Sequence, residues 1–463
     1  MYLDSSAGYP MDCYIRLRFR GGFSHVDLER ALALALRQHP LMYARSEQTG
    51  KNRYAWRIPE ASGVVSGPEV STIHGVRVFW EKGVCRGDFP RSMNAPLNLA
   101  EEPPLRLAVV EESDQAGEVV RTDITFKLHH AAADAIGSIR FLMDFLVDYA
   151  KRAGVVCDDW KHLSPLSPEG LKTRGWCGRG VLEWLRLLGI AGIRLRRCLV
   201  FVFRRILPLA KRPEVETTRQ VDARYPAILF HLWGAEETAS MLRTCRGQDF
   251  TMNDVLLQAG FLALRDWRKE HPDDAFDGLE APFRIAVPTN LRNARAGLFP
   301  AANMVSMVFL DRKIAEIDDS RLFLERIHRE MNDVKRLELG FLLVQGIAVV
   351  KRMLGSLDAI LGFSECWTSL VISNIGPVFS PRKFPFPRTD KGELCIHDTV
   401  LEEVESASPI RPLTSVALCV STYAGRTGIT LHYDSRTISA ALAQDFMDRV
   451  LSYVRVLLAS PGK

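Results

Sequence analysis

The chain has 463 residues, 47% hydrophobic and 25% charged, with a formal charge of +5 from 60 basic and 55 acidic side chains. That length exceeds one ordinary core and implies two or three globular domains. So mild a net charge excludes a globally basic, nucleic-acid-coating surface. Nine scattered cysteines without a CxxC pair exclude a disulfide framework or a zinc ribbon and suit a reducing compartment. No apolar signal core opens the chain and no run of about 18 apolar residues occurs, so the expected location is cytoplasmic, without a membrane span.

In chain order, Cys13 to Phe19 (CYIRLRF) alternates apolar and polar residues, as a half-buried strand should. The next segment, SHVDLERALALALRQHP, reads as a helix with Ser24 and Asp27 in a capping-box pattern and Pro40 just past its end. Arg121 to Leu128 alternates again, and a helix follows with Ile139, Leu142, Phe145, Leu146 and Tyr149 on its apolar face. The second half repeats the style. AILFHLWG is strand-like, Thr251 and Asp254 cap a long helix, and FRIAVPTNLR and NMVSMVFL are apolar enough for buried strands. Phe323, Ile327, Met331, Val334 and Leu337 mark one face of an amphipathic helix, a hairpin surrounds Gly425, and a last helix runs from about Ser439 to Leu458. The expected fold class is α/β in two lobes: residues 1–165, a connector over 166–220 with loop punctuation at each end, and residues 221–463.

The chemistry concentrates in FKLHHAAADAIGS, Phe126 to Ser138. Strand parity puts Ile124, Phe126, Leu128 and His130 on one face, with Thr125, Lys127 and His129 on the other. His130 thus continues an apolar face at a strand end, where a neutral imidazole can take a proton from a hydroxyl, amine or thiol. The competing reading is a structural pair that caps backbone groups. Zinc is not expected: the two rings point to opposite faces and no Cys/His/Glu cluster completes a site. No GxSxG elbow supports a Ser-His-Asp triad. Asp134 sits in the turn before the helix, placed to orient the loop or to bind an arginine.

HHAAAD resembles the HHxxxD signature of the condensation-like, CoA-dependent acyltransferase superfamily. This group includes chloramphenicol acetyltransferases, nonribosomal peptide condensation domains, wax ester synthase/diacylglycerol acyltransferases, and polyketide-associated and alcohol acyltransferases. Further segments resemble the family in the expected order: QHPLMYAR, APLNLAEEPPLRLAVVEE, TMNDVLLQAGFLALRDW, VPTNLR and SNIGPVF. Together they span nearly the whole chain.

The resemblance implies two chloramphenicol-acetyltransferase-like lobes with a tunnel between them. His130 would be the general base, and His129 a supporting residue. Asp134 would pair with an arginine of the second lobe, Arg292 being the candidate and Arg284 the competitor. Ser373, Asn374 and Gly137 would border the substrate channel; the oxyanion donor would be a backbone N–H near His130, or Ser373 and Asn374, whose segment also reads simply as a turn after a strand. The family needs no metal and no permanently bound cofactor. Its co-substrate is an acyl-CoA or an acyl-carrier-protein thioester, and its acceptor an alcohol or amine attacking directly, without an acyl-enzyme. The segments lie nearest the ester-forming branches. A stand-alone condensation enzyme using carrier-protein thioesters, or a catalytically silent binding or membrane-adaptor member, are the alternatives. Where the family pattern continues with glycine, this chain has Ala135. A positive φ there would strain alanine by about 1 kcal/mol or more; otherwise it is harmless, with Gly137 supplying freedom two residues on.

Between the lobes, Gly180 to Pro213 carries Arg186, Arg194, Arg196, Arg197, Arg204, Arg205, Lys211 and Arg212 against one acid, Glu183. On a helix most of these arginines form one stripe beside a wide apolar face. Three readings fit: a peripheral membrane contact through residues 181–212, a helix packed on the protein, or a dock for an acidic carrier or CoA phosphates. No recognition motif for nucleic acid accompanies it.

Overall fold

The computed structural model describes residues 9–50, 53–85, 87, 89–157, 160, 166, 168–172, 204–210, 226–272, 281–292, 299–341, 343–344, 346–347, 366–411 and 413–459. In chain order the first half gives β1 (Asp12–Arg20), α1 (His25–Gln38), β2 (Arg45–Gly50), β3 (Arg53–Arg57), β4 (Val64–Val65), β5 (Val70–Ile73), β6 (Val76–Lys82), β7 (Leu105–Ser113), β8 (Val119–His129) and α2 (Ala135–Arg152). The second half gives β9 (Ile228–Trp233), α3 (Ala235–Gly247), α4 (Met252–Glu270), β10 (Phe283–Asn290), β11 (Val305–Arg312), α5 (Arg321–Arg336), β12 (Leu370–Pro377), β13 (Cys395–Ile396), β14 (Thr399–Ala407), β15 (Val416–Tyr423), β16 (Arg426–Tyr433) and α6 (Ala440–Ala459).

Two large sheets result, an eight-stranded one ordered β13-β14-β1-β8-β7-β6-β5-β4 and a six-stranded one ordered β11-β10-β12-β15-β16-β9. The sheets do not follow chain order. β13 and β14 leave the second half and complete the first sheet, with β14 antiparallel to β1. The two sheets therefore do not coincide with the two halves of the chain, and most of the expected connector at 166–220 lies outside the described residues.

Each sheet buries one face under helices. Ile15, Leu17 and Phe19 of β1 join Phe126 and Leu128 of β8 against Leu32, Ala35, Phe141 and Phe145 of α1 and α2. In the second core, Trp267 of α4 meets Phe446 of α6 edge-on at 5.8 Å, and Phe261 meets Phe323 of α5 at 6.0 Å. Local signals explain the ends. Thr251 and Asp254 make both halves of a capping box, whereas Ser24 only accepts the Asp27 N–H. The β15–β16 hairpin turns on Ala424 and Gly425, both at positive φ (46° and 74°), as a tight right-twisting turn requires.

Two expectations change here. The polar faces of β1 and β8 are not in water: Arg16 is 3% exposed and Lys127 0%. The segment from Gly87 to Leu97 lies over them and supplies backbone partners. Lys127 Nζ donates to Met93 and Ala95 oxygens at 2.9 and 2.7 Å, and Arg16 to the Gly87 oxygen at 3.0 Å. Asp12, 3.1 Å from Lys127, and Glu405, 3.8 Å from Arg16, pair with these cations, as buried charges need. Alternation read as a half-wet strand is in fact a strand covered on both faces.

The second change concerns the basic stretch. Most of it lies outside the described residues, but Arg204–Ala210 is irregular backbone, not helix. Pro208 cannot continue a helix. Leu207 and Leu209 bury in the second core. The main chain is also tied down: Leu207 N–H to the Pro282 oxygen (3.0 Å), Trp267 Nε1 to the Leu209 oxygen (3.0 Å), and Arg268 to the Pro208 oxygen. Among the described residues no helix is long and apolar enough to cross a membrane, and no cluster of three His, Cys, Asp or Glu side chains suits a metal ion.

Candidate active site

β8 delivers the two histidines with the parity expected of a strand. His129 stands opposite Asp12 in the β1–β8 register, its N–H donating to the Pro104 oxygen at 2.8 Å. Its side chain is 1% exposed, and Nδ1 accepts the Ala131 N–H at 3.1 Å. Burial, with His130 and Lys127 adding, lowers its pKa to about 3. At neutral pH His129 is therefore uncharged, and its ring caps the Ala131 N–H.

His130 extends the strand by one more bond, its N–H donating to the Met11 oxygen at 2.7 Å. The residue is half-buried. Burial lowers its pKa, against the attraction of Asp134 and a bond from the ring to its own main-chain carbonyl.

Asn303 secures the arrangement. Its Nδ2 donates to the His130 carbonyl at 2.6 Å, and its Oδ1 accepts the Val305 N–H at 3.2 Å, which sets the amide orientation. Nδ2 also lies 3.3 Å from His130 Nδ1.

Asp134 caps α2. Its backbone is extended (φ −91°, ψ 178°), and Oδ1 accepts the Gly137 N–H at 2.9 Å. Oδ2 accepts from Arg292 Nη1 at 2.7 Å and from the Met304 N–H at 2.7 Å. Arg292 also donates from Nη2 to the Ala302 oxygen at 2.7 Å. Arg284 is held elsewhere, bidentate on Asp311 at 2.7 and 2.9 Å. Arg292 is therefore the Asp134 partner. The pair is buried, at 10% and 4% exposure, so removing one member leaves an uncompensated charge, at a cost of about 3–5 kcal/mol.

Ala135 is the first residue of α2 and is absent from the positive-φ positions, so alanine is unstrained there. Gly137 is buried, and a Cβ there would stand 2.7 Å from the Ala302 oxygen and 2.9 Å from its nitrogen. Its lack of a side chain lets segment 301–304 approach the start of α2.

Ser373 and Asn374 lie on β12. Ser373 is half-buried and hydrogen-bonds the Cys419 thiol. Asn374 is exposed, and its Oδ1 accepts the Gly376 N–H at 3.0 Å where the β12–β15 register slips. The contacts thus bring His130, Asp134, Arg292 and Gly137 into one cluster and commit the Asn374 oxygen to a turn, while no hydrogen bond among the described residues joins Ser373 to that cluster. Asn303, 173 positions from its histidine, was not legible in sequence; its only local signal is an asparagine just before a strand.

No protein-family profile matches the chain, and neither does any curated protein. Solved structures do. SgcC5 from Streptomyces globisporus superposes with a TM-score of 0.65 at 14% identity, covering 98% of this chain and 94% of that one. The TRI3 trichothecene 15-O-acetyltransferase from Fusarium sporotrichioides gives 0.65 at 14%, covering 98% and 92%. The starter condensation domain of rhizomide synthetase RzmA gives 0.63 at 11%, covering 99% and 92%. These likenesses establish the fold: the chain has the two-lobed architecture of condensation domains and CoA-dependent acyltransferases.

The packing at Gly137 yields a direct test. Gly137→Ala should lower stability by about 1–3 kcal/mol in urea unfolding, because backbone, not a flexible side-chain end, must yield. Wild-type stability in this variant would show that segment 301–304 does not press on α2.

Proposed function

We propose that the protein is an acyltransferase that moves an acyl group from a thioester to a hydroxyl or amine. The observation that carries the reading is the setting of His130: burial lowers its pKa, Asn303 holds its carbonyl, and Asp134, four residues on, is locked to Arg292. The proposed tautomer carries its proton on Nδ1 and leaves the Nε2 lone pair free. In the reaction Nε2 takes the acceptor proton as the acceptor oxygen or nitrogen bonds to the thioester carbonyl. The tetrahedral oxyanion collapses, the carbon–sulfur bond breaks, and the leaving thiolate recovers the proton from the imidazolium. The steps balance without an acyl-enzyme. Asp134 and Arg292 orient the histidine loop and move no proton. Ser373 is the proposed side-chain donor to the oxyanion.

The co-substrate is an acyl-CoA or an acyl-carrier-protein thioester, with no resident cofactor. Two neighbours support this class: TRI3 is a 15-O-acetyltransferase, and the RzmA domain was captured with C8-CoA. An O-acyl transfer forming an ester remains the preferred direction, with a condensation enzyme fed by carrier-bound thioesters as the alternative. Offering each acyl chain on CoA and on a carrier separates the two.

Free thiol should appear when the wild type is given an acyl thioester with an alcohol or amine, and His130→Ala should lower the rate by about 10²–10⁴ while remaining folded. The base works only when neutral and its pKa lies below 6.5, so activity is retained through pH 6.5 and lost as pH falls further. The acidic limb of kcat/KM should thus have its midpoint below 6.5 and be absent from the variant. Equal turnover in His130→Ala would sink the reading.

We also propose a peripheral membrane contact through residues 181–212, less residues 206–209, which are buried in the protein. Anionic vesicles should float the wild type in low salt and not the triple variant Arg194→Glu, Arg196→Glu, Arg197→Glu. Equal flotation of both removes the membrane reading.

A further inference from the structure

A second buried polar chain stands beside the Asp134 cluster and takes no part in the chemistry above. His39 ends α1, with its ring 0% exposed and edge-on to Phe141 at 5.5 Å. Nε2 lies 2.9 Å from Asp144 Oδ2 on α2, and Arg140 Nε lies 2.9 Å from the same oxygen. Nδ1 lies 2.8 Å from the main-chain nitrogen of Ala301. A main-chain N–H only donates, so Nδ1 is the acceptor and the ring proton sits on Nε2, directed at Asp144. Burial lowers the His39 pKa, opposed by Asp144, so the Nδ1 lone pair stays available.

Ala301 begins the segment that builds the active site from the other half of the chain. Ala302 accepts from Arg292, Asn303 donates to the His130 carbonyl, and the Met304 N–H donates to Asp134. The one contact to His39 sits at the head of these three. An imidazole suits the position because it offers an acceptor and a donor on opposite edges of a rigid, uncharged ring.

We propose that His39 is a positioning residue for the reaction: its Nδ1 latches Ala301, so that Asn303 and Met304 hold His130 and Asp134 in register. The inference rests on His130 being the base, but the latch has a readout of its own. Two conservative variants divide its bonds. In His39→Asn, Oδ1 stands where Nδ1 did and can still accept the Ala301 N–H. In His39→Gln, the amide reaches toward Asp144 and leaves Ala301 without its acceptor. Both variants lose the imidazole, so packing losses are common to them.

The Ala301 amide should stay protected from hydrogen exchange in wild type and His39→Asn, and exchange at least about tenfold faster in His39→Gln. With a turned-over donor, kcat should fall about a hundredfold in His39→Gln with KM within about twofold, and His39→Asn should stay near wild type. Combined with Asn303→Ala, His39→Gln should add no further loss of kcat, since both act on one contact. Wild-type exchange and kcat in His39→Gln, or equal losses in the two His39 variants, would overturn the latch. If the wild type releases no thiol from any donor, the reading of His130 fails, and Ala301 exchange in the two variants still decides the latch.

Discussion

The Asp134 carboxylate faces three donors from three places. One oxygen takes the Gly137 N–H and so starts α2; the other takes Arg292 and the Met304 N–H, which arrive from the second half of the chain. A helix cap is worth about 1 kcal/mol, far less than the cost of leaving either member of the buried ion pair alone. The ion pair therefore decides where α2 begins relative to segment 301–304. Because His130 is only four residues before Asp134, it also decides where the imidazole stands.

Everything else at the site serves that junction. Gly137 is small so that Ala302 can approach. Ala302 accepts from Arg292 on the opposite side, which leaves the guanidinium little freedom to leave its carboxylate. Asn303 then reaches the His130 carbonyl. The histidine is thus oriented through its main chain, and in the proposed reaction Nε2 faces the substrate. Such fixed orientation is the part of a general-base mechanism that a protein can supply in advance.

What the sequence made legible follows the range of the interactions. Strand parity separated His130 from His129 because it needs only neighbours along one strand. Caps at Ser24 and Thr251 and the turn at Gly425 were legible for the same reason. The choice between Arg292 and Arg284 was not, because it depends on Asp311 claiming Arg284 across the β10–β11 ladder. The covering of the polar faces of β1 and β8 was hidden too. Alternation specifies two faces but not what lies over each, and here backbone oxygens of Met93 and Ala95 satisfy a lysine that looked solvated. Likewise β14 joins the first sheet only in three dimensions. The apolar run near Leu207 resembled a continuing helix until Pro208 and the second core fixed it otherwise.

The central claim is that Asp134 and Arg292 act as one unit to place His130. The most direct measurement is a double-mutant cycle of Asp134→Asn and Arg292→Gln, followed by thiol release and by the imidazole NMR signal of His130. The expected result is strong coupling: the double variant is no slower than the worse single one, all three shift the His130 signal alike, and the coupling energy is about 0.5–3 kcal/mol. Additive losses, with the His130 signal unmoved in either single variant, would contradict it.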